Sequence, residues 1–424
     1  MYPVKASAIY VHENVLGDSL CRARLERLLP GIVCATAPQV VNDAQLNDIV
    51  GRSGWGDIHS RRTGQLKLGP ERALVFSRFR WSADPELAQL RVQYPHLKSW
   101  YLLGDGAWTF RDGRATRATQ LGICQNAHEL HSVWGCLHTC DYCNIGGFVN
   151  LMLNLEEYLA RLDALVRETP WLKLYKYDNH TDVPAFEPEY GWCKGLVEFF
   201  AAREAFLMLY TKSHNVDFLL NLDHRGRTIV CWTLSCATVS RLIEKEAPPL
   251  AARIAAAAKC QAAGYVVRAR FSPIIPVQNW EQENEQMLAE YLSRVRPDVL
   301  TMDTLKWIEP SRVRDIFDLT LWDPEFVAAV DHLAALPPEQ RPRPILPNGK
   351  QLFPDELRAR VYRFFIERIR ALSPSTRIAL CGETPEMWTA LRDELGMTPE
   401  HYVCACGPDS VPGNALFPEA LAEP

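Results

Sequence analysis

The chain lacks any stretch approaching the roughly 18 consecutive apolar residues that cross a bilayer. Its N-terminus, MYPVKASAIYVHENVLGD, has neither a basic leader nor a long apolar core. A membrane-spanning or exported protein is therefore not expected, and the sequence reads as cytosolic. Long runs of one charge are also missing: 46 Lys and Arg stand against 51 Asp and Glu, a net charge of -5. Tight binding to nucleic acid through a global cationic surface is not expected, which leaves a local groove. Cysteine is sparse, 13 in 424 residues, too little for a disulfide scaffold. In a reducing compartment an odd total points instead to thiols, thiolate ligands or small buried hydrophobes. No internal repeat is visible, and with 47% apolar and 23% charged residues disorder is excluded by composition.

What is present falls into three parts. Residues 1–125 mix short apolar runs with Gly and Arg and read as an N-terminal α+β domain. Over 126–310, compact apolar runs alternate with amphipathic stretches. Strands are expected at 172–177, 205–213, 228–235, 265–274 and 298–305, with helices at 154–168, 248–264 and 279–295. Gly264 sits where a helix C′ residue is wanted. Such alternation argues for an α/β fold whose parallel sheet is closed or half closed into a barrel, with helices outside. After Pro310 the pattern loosens. The small C-terminal α/β domain, 311–424, contains a proline-rich linker or surface arm, LPPEQRPRPILPN (336–348), and then, from about 349, a helix, the short strand TRIAL, a second helix and a cysteine-containing tail.

The segment GCLHTCDYCNIGG sets Cys136, Cys140 and Cys143 in a C-x3-C-x2-C array followed by Gly146 and Gly147. Three thiolates close in sequence can wrap one face of a [4Fe–4S] cube, leaving the fourth iron without a protein ligand and open to a small chelator. The same array admits a structural zinc, which closes tetrahedrally and needs Cys124, His131 or His138 as a fourth ligand. That reading makes the chain a zinc-stabilised, non-catalytic binding protein.

The array resembles the signature of the radical S-adenosylmethionine (SAM) superfamily. HSVWGCLHTCDYCN, TDVPAFEPEYG, LYTKSHNVDFLL, WTLS, RIAAAAKCQAAGYVVRARFSPIIPV and NWEQE follow in the order of the spore photoproduct lyase family, over residues 131 to about 307. The resemblance implies a partial (β/α)6 TIM-type barrel with the array after its first strand. It also implies a [4Fe–4S] cluster whose open iron binds SAM, cleavage of SAM to a 5′-deoxyadenosyl radical that abstracts a substrate hydrogen, and an electron donor such as flavodoxin or ferredoxin. By motif match, Lys212 meets the SAM carboxylate, Ser235 its polar groups, and Tyr142 packs on the adenine. The plainer readings are a solvated strand end, a turn hydroxyl and a core ring.

The sequence departs from the repair enzymes of that family at two places. Asn179 stands where the hydrogen-donating cysteine is expected, and Asn144 where a relay tyrosine follows the third cluster cysteine. An amide N–H is a much stronger bond than S–H or phenolic O–H, so the repair mechanism could not run unchanged. Cys193 is a candidate substitute, against simple packing. A small-molecule or nucleoside-like substrate is therefore expected ahead of thymine photoproducts in DNA. Arg225, Arg227, Arg268, Arg270 and Lys176 are candidates to line an anionic pocket. The block after the second strand gathers Asp178, His180, Asp182, Glu187 and Glu189 where barrel enzymes keep substrate contacts. In the tail, Cys381, Cys404 and Cys406 are candidates for a second iron–sulfur cluster used for electron relay, substrate anchoring or sulfur donation. Zinc, a strained C-x-C disulfide and incidental thiols are the alternatives.

Overall fold

The computed structural model describes residues 1–55, 61–67, 71–97, 100–113, 122–340 and 351–417. Most of the proline-rich stretch 336–348 lies outside them. Two sheets carry the architecture. β1 (Val4–His12) pairs in parallel with β2 (Ile32–Cys34), β3 (Gln39–Val41) and β4 (Arg72–Ser77). β5 (Trp108–Arg111) then runs antiparallel to β6 (Ala127–Leu130) in the second sheet. The chain returns to the first sheet through β7 (Val133–Trp134) and β8 (Phe148–Met152), the latter parallel to β4.

From there the chain builds the second sheet by parallel steps. β9 (Leu174–Tyr177) joins β6, followed by β10 (Phe206–Thr211), β11 (Thr228–Thr233), β12 (Val266–Ile274) and β13 (Val299–Thr304). Six strands, β6 and β9 to β13, thus form the wall, open rather than closed, with β5 at one edge; the apolar runs predict the last five of them. β14 (Arg377–Leu380) pairs in parallel with β13 at the other edge. The strand of the C-terminal segment therefore extends this sheet and forms none of its own.

Helices Leu155–Glu168, Trp192–Ala201, Leu250–Ala262 and Trp280–Arg294 cover the outer face, where Tyr175, Leu207, Val230, Val267 and Leu300 share one core. The first presents Leu155, Tyr158 and Leu162 to it at i, i+3, i+7 spacing. Gly264 holds φ +88° just past the C-cap Ala263, as expected. β10 reaches β11 by a loop, 212–227, with no helix.

The inner face is different. Alternation turns Glu129, Lys176, Tyr210, Cys231, Arg268 and Arg270 inward, where the layered Val, Ile and Leu of a filled barrel would otherwise sit. The space is taken by residues 403–411. Ala405 donates its N–H to Thr301 Oγ1 at 2.9 Å and accepts from Arg268 at 2.9 Å, Pro408 accepts from Lys173 N at 2.7 Å, and Ala405 and Val411 pack with Leu174, Met208 and Ile229.

Candidate active site

The loop 135–147 joins β7 to β8 at the C-terminal ends of the barrel strands, where such folds place their chemistry. Its entry demands glycine: Gly135 has φ +93°, and a Cβ there would lie 2.0 Å from the Phe148 carbonyl oxygen. Inside the loop, Cys143 N–H bonds Cys140 O at 2.9 Å, while the N–H groups of His138 and Ile145 point at the sulfurs of Cys136 and Cys143, each at 3.4 Å. The N-terminal unit clamps the loop from outside. Thr63 donates N–H and Oγ1–H to Cys143 O, and Gly64 N–H bonds Asp141 O at 3.1 Å. Burial pushes all three thiols up, Cys140 to about 12, so a metal must displace their protons to bind.

Two buried carboxylates join this loop to the strand ends. Asp182, after β9, accepts from His138 Nε2 at 3.0 Å, from Thr211 Oγ1 at 2.8 Å and from Lys212 N at 2.6 Å. Glu244 accepts from Tyr142 Oη at 2.5 Å, Ser235 Oγ at 3.0 Å and Arg253 Nη1 at 2.5 Å, with Lys212 Nζ 3.8 Å away. Burial works against the charge of Glu244, but Arg253 and then Lys212 hold its carboxyl down at about 2. Burial likewise opposes the Lys212 ammonium, yet Glu244 and Cys140 outweigh it and the pKa stands above its ordinary value.

Tyr142, Lys212 and Ser235, from three separate segments, thus converge on one carboxylate that sequence reasoning missed. Glu244 reads as an ordinary helix-end glutamate. It reaches the site because Val239–Ile243 form a π-helical turn, a feature common at functional sites, and because Cys140 and Glu244 pair as an isolated bridge.

Other candidates are not brought here. Asn179 is exposed beyond β9 and Asn144 half-buried in the loop. Cys193 is buried in the outer helical layer, its N–H bonded to Glu187 at 2.7 Å. The acidic block disperses: Asp178 bonds His131 at 3.0 Å, Glu187 caps Gly191 and Cys193, and Glu189 pairs with the Met1 amine at 2.6 Å. Arg225 and Arg227 lie at the surface with Asp223 and Glu204, and Arg268 pairs with Asp298 inside the wall. Of the five basic candidates only Lys176 and Arg270 share a space, both beside the Tyr210 ring. None of the three optional zinc ligands is offered to the trio. His138 is engaged by Asp182 and the Glu246 carbonyl, His131 by Asp178 and Thr109, and Cys124 belongs to a different group of thiols.

The family profile of spore photoproduct lyase matches residues 127–309. The lyase of Bacillus subtilis (strain 168) is 28% identical over 177 residues, 40% of this chain and 52% of that protein. The lyase of Geobacillus sp. (strain Y412MC61) is 27% identical over 183 residues, 41% and 54%. The chain therefore spans about half the length of these curated relatives. Solved structures extend the likeness in fold. One spore photoproduct lyase variant superposes with a TM-score of 0.58 at 16% identity, and another, with bound AdoMet and dinucleoside spore photoproduct, at 0.57 and 17%. Each covers 90% of this chain and 99% of the other. The likeness in sequence to spore photoproduct lyase thus centres on residues 127–309, and the likeness in fold extends over most of the chain.

Proposed function

We propose that this chain is a radical SAM enzyme that abstracts hydrogen from carbon in a nucleoside-like substrate. The observation that carries the reading is the convergence of Tyr142, Lys212 and Ser235 on Glu244, beside one buried and two half-buried thiols toward which none of Cys124, His131 and His138 is turned. The donor set fits the cofactors. Cys136, Cys140 and Cys143 would hold a [4Fe–4S] cluster, and SAM would lie against Lys212, Ser235 and Tyr142. When bound, the pair supplies reductive cleavage of a C–S bond and the hydrogen abstraction that follows.

The chain's own side chains supply position. Lys212 keeps a cation ready for a carboxylate. Glu244 is fully buried and acts through others, orienting the Tyr142 and Ser235 hydroxyls while Arg253 satisfies its second oxygen. Asp182 fixes His138, and through it the first half of the cysteine loop, to the end of β10. Closure by residues 63–64 keeps water from the loop's outer face.

A second reading, repair of thymine photoproducts, draws support from the family match and from the relative crystallised with a dinucleoside spore photoproduct. Against it stand Asn179 and Asn144. The test is anaerobic: reconstituted protein, dithionite and SAM, with and without the dinucleoside photoproduct, and chromatography of the products. 5′-Deoxyadenosine and methionine are expected in both reactions. Release of thymidine would favour repair, and unchanged photoproduct would favour another nucleoside-like substrate. Absence of SAM cleavage, together with a cluster spectrum indifferent to SAM, would overturn the proposal.

A further inference from the structure

Three remote segments meet inside the curve of the barrel wall. Residues 123–125, just before β6, are tied to both others: Ile123 N–H bonds Glu383 O at 2.8 Å, and the Gln125 side chain donates to Tyr402 O at 2.8 Å and accepts from Cys404 Sγ at 3.4 Å. Cys124, between these anchors, shares one electrostatic neighbourhood with Cys381 and Cys404. Cys406, two residues beyond Cys404, completes the set. Gly407 allows the tail to enter, since a Cβ there would lie 1.9 Å from Gln125 Oε1 and 2.4 Å from Ser410 Oγ.

The wall around these thiols is prepared for an anion. Arg111 Nη2 points at Cys406 Sγ from 3.5 Å and Arg270 Nη2 at Cys381 Sγ from 3.6 Å. Lys176 and Arg111 share Glu129 as counter-ion. Among the described residues Arg270 meets no carboxylate at ion-pair distance, and its other side-chain hydrogen bond goes to Ser272 Oγ at 3.2 Å. Tyr210 Oη, facing the same space, is buried with no hydrogen-bond partner among the described residues. A half-buried cation without a paired carboxylate and a buried hydroxyl without a partner both disfavour an empty interior.

We propose that Cys124, Cys381, Cys404 and Cys406 ligate a second [4Fe–4S] cluster inside the barrel, distinct from the one held by Cys136, Cys140 and Cys143. Four thiolates around a cubane core leave net negative charge, which Arg111, Lys176 and Arg270 offset. Size distinguishes the cube from zinc. Thiolates at a Zn–S distance of about 2.3 Å stand only about 3.8 Å apart. Among the described residues the one group of three ligand atoms all within 4.8 Å of one another is His131, Asp178 and His180, which includes none of these cysteines. With four protein ligands this cluster has no open iron, so it is a redox or structural centre rather than a second SAM site.

The test counts iron and sulfide on the full chain reconstituted anaerobically, with spectra of the dithionite-reduced protein. Wild type should carry about eight irons, and the Cys136→Ala, Cys140→Ala, Cys143→Ala variant about four, with a reduced-cluster signal that SAM does not perturb. Adding Cys124→Ala to that variant should remove or degrade the remaining cluster, whereas adding Cys260→Ala, a thiol buried in an outer helix, should not. An iron-free triple variant that melts as a folded protein would overturn the proposal. So would zinc in place of iron, or a Cys404–Cys406 disulfide in the anaerobic protein. Failure of the SAM site would appear separately, as a wild-type spectrum unmoved by SAM.

Discussion

The two groups of thiols sit in opposite surroundings. The loop trio is framed by carboxylates: Asp182 and Glu244 gather the side chains around it, and the cations Lys212 and Arg253 answer to them. The inner quartet is framed by cations, Arg111, Lys176 and Arg270, with Glu129 as the carboxylate partner of the first two. A frame of paired charges suits a site that must order the hydroxyls and the ammonium that meet a bound ligand. A cationic frame suits a site that must retain negative charge and admit nothing else. One residue type is thus assigned two tasks by the charges behind it.

The largest blow to this contrast is Cys140→Ala. It should abolish SAM cleavage while leaving a SAM-indifferent cluster in the quartet, as read by deoxyadenosine release and iron count on one preparation. Loss of both clusters at once would merge the two regions into one. Glu244→Gln comes next. It strips the buried Arg253 guanidinium of its partner, which should cost about 3–5 kcal/mol of stability by urea denaturation, and it should weaken SAM binding through Tyr142 and Ser235. If SAM affinity is untouched while stability falls, Glu244 is scaffolding alone.

A smaller effect is expected on the other side. Gly407→Ala displaces the Gln125 amide from Tyr402 and Cys404, for about 1–3 kcal/mol, with SAM cleavage retained. The finest probe is Arg270→Gln. Removing a cation beside the quartet disfavours the more negative, reduced state, so the reduction potential of the inner cluster should fall while iron content and the SAM-responsive signal stay unchanged. A potential that does not move would deny the cationic frame its role.

The difference between the regions also governs how much could be read from the sequence. The trio is legible because its ligands lie within eight residues and the loop does its own folding. The five wall strands from 172 to 305 are legible because their outward residues keep an apolar run beneath the helices. The inward residues of the same strands gave misleading hints: Arg268 and Arg270 look like an anion pocket, but Arg268 is spent on Asp298 and on the tail. Glu244 could not be singled out, since one π-helical turn decides whether it faces solvent or Tyr142. Proximity in sequence associates Cys124 with the trio, yet β6 and the turn into β7 carry the chain away from it, and more than two hundred and fifty residues pass before the first of its neighbours arrives. Closure over such distances is set by sheet order, which no local pattern encodes.

Residues 403–411 fill a trough whose eight strands are all synthesised before them. A growing chain therefore passes through a stage in which the sheet can pair but its charged lining stays wet, and the final compaction waits for a peptide that adds no strand. Assembly of the interior is accordingly the last event in folding, and shortening the chain before Val403 should leave a hollow, swollen molecule rather than a smaller native one.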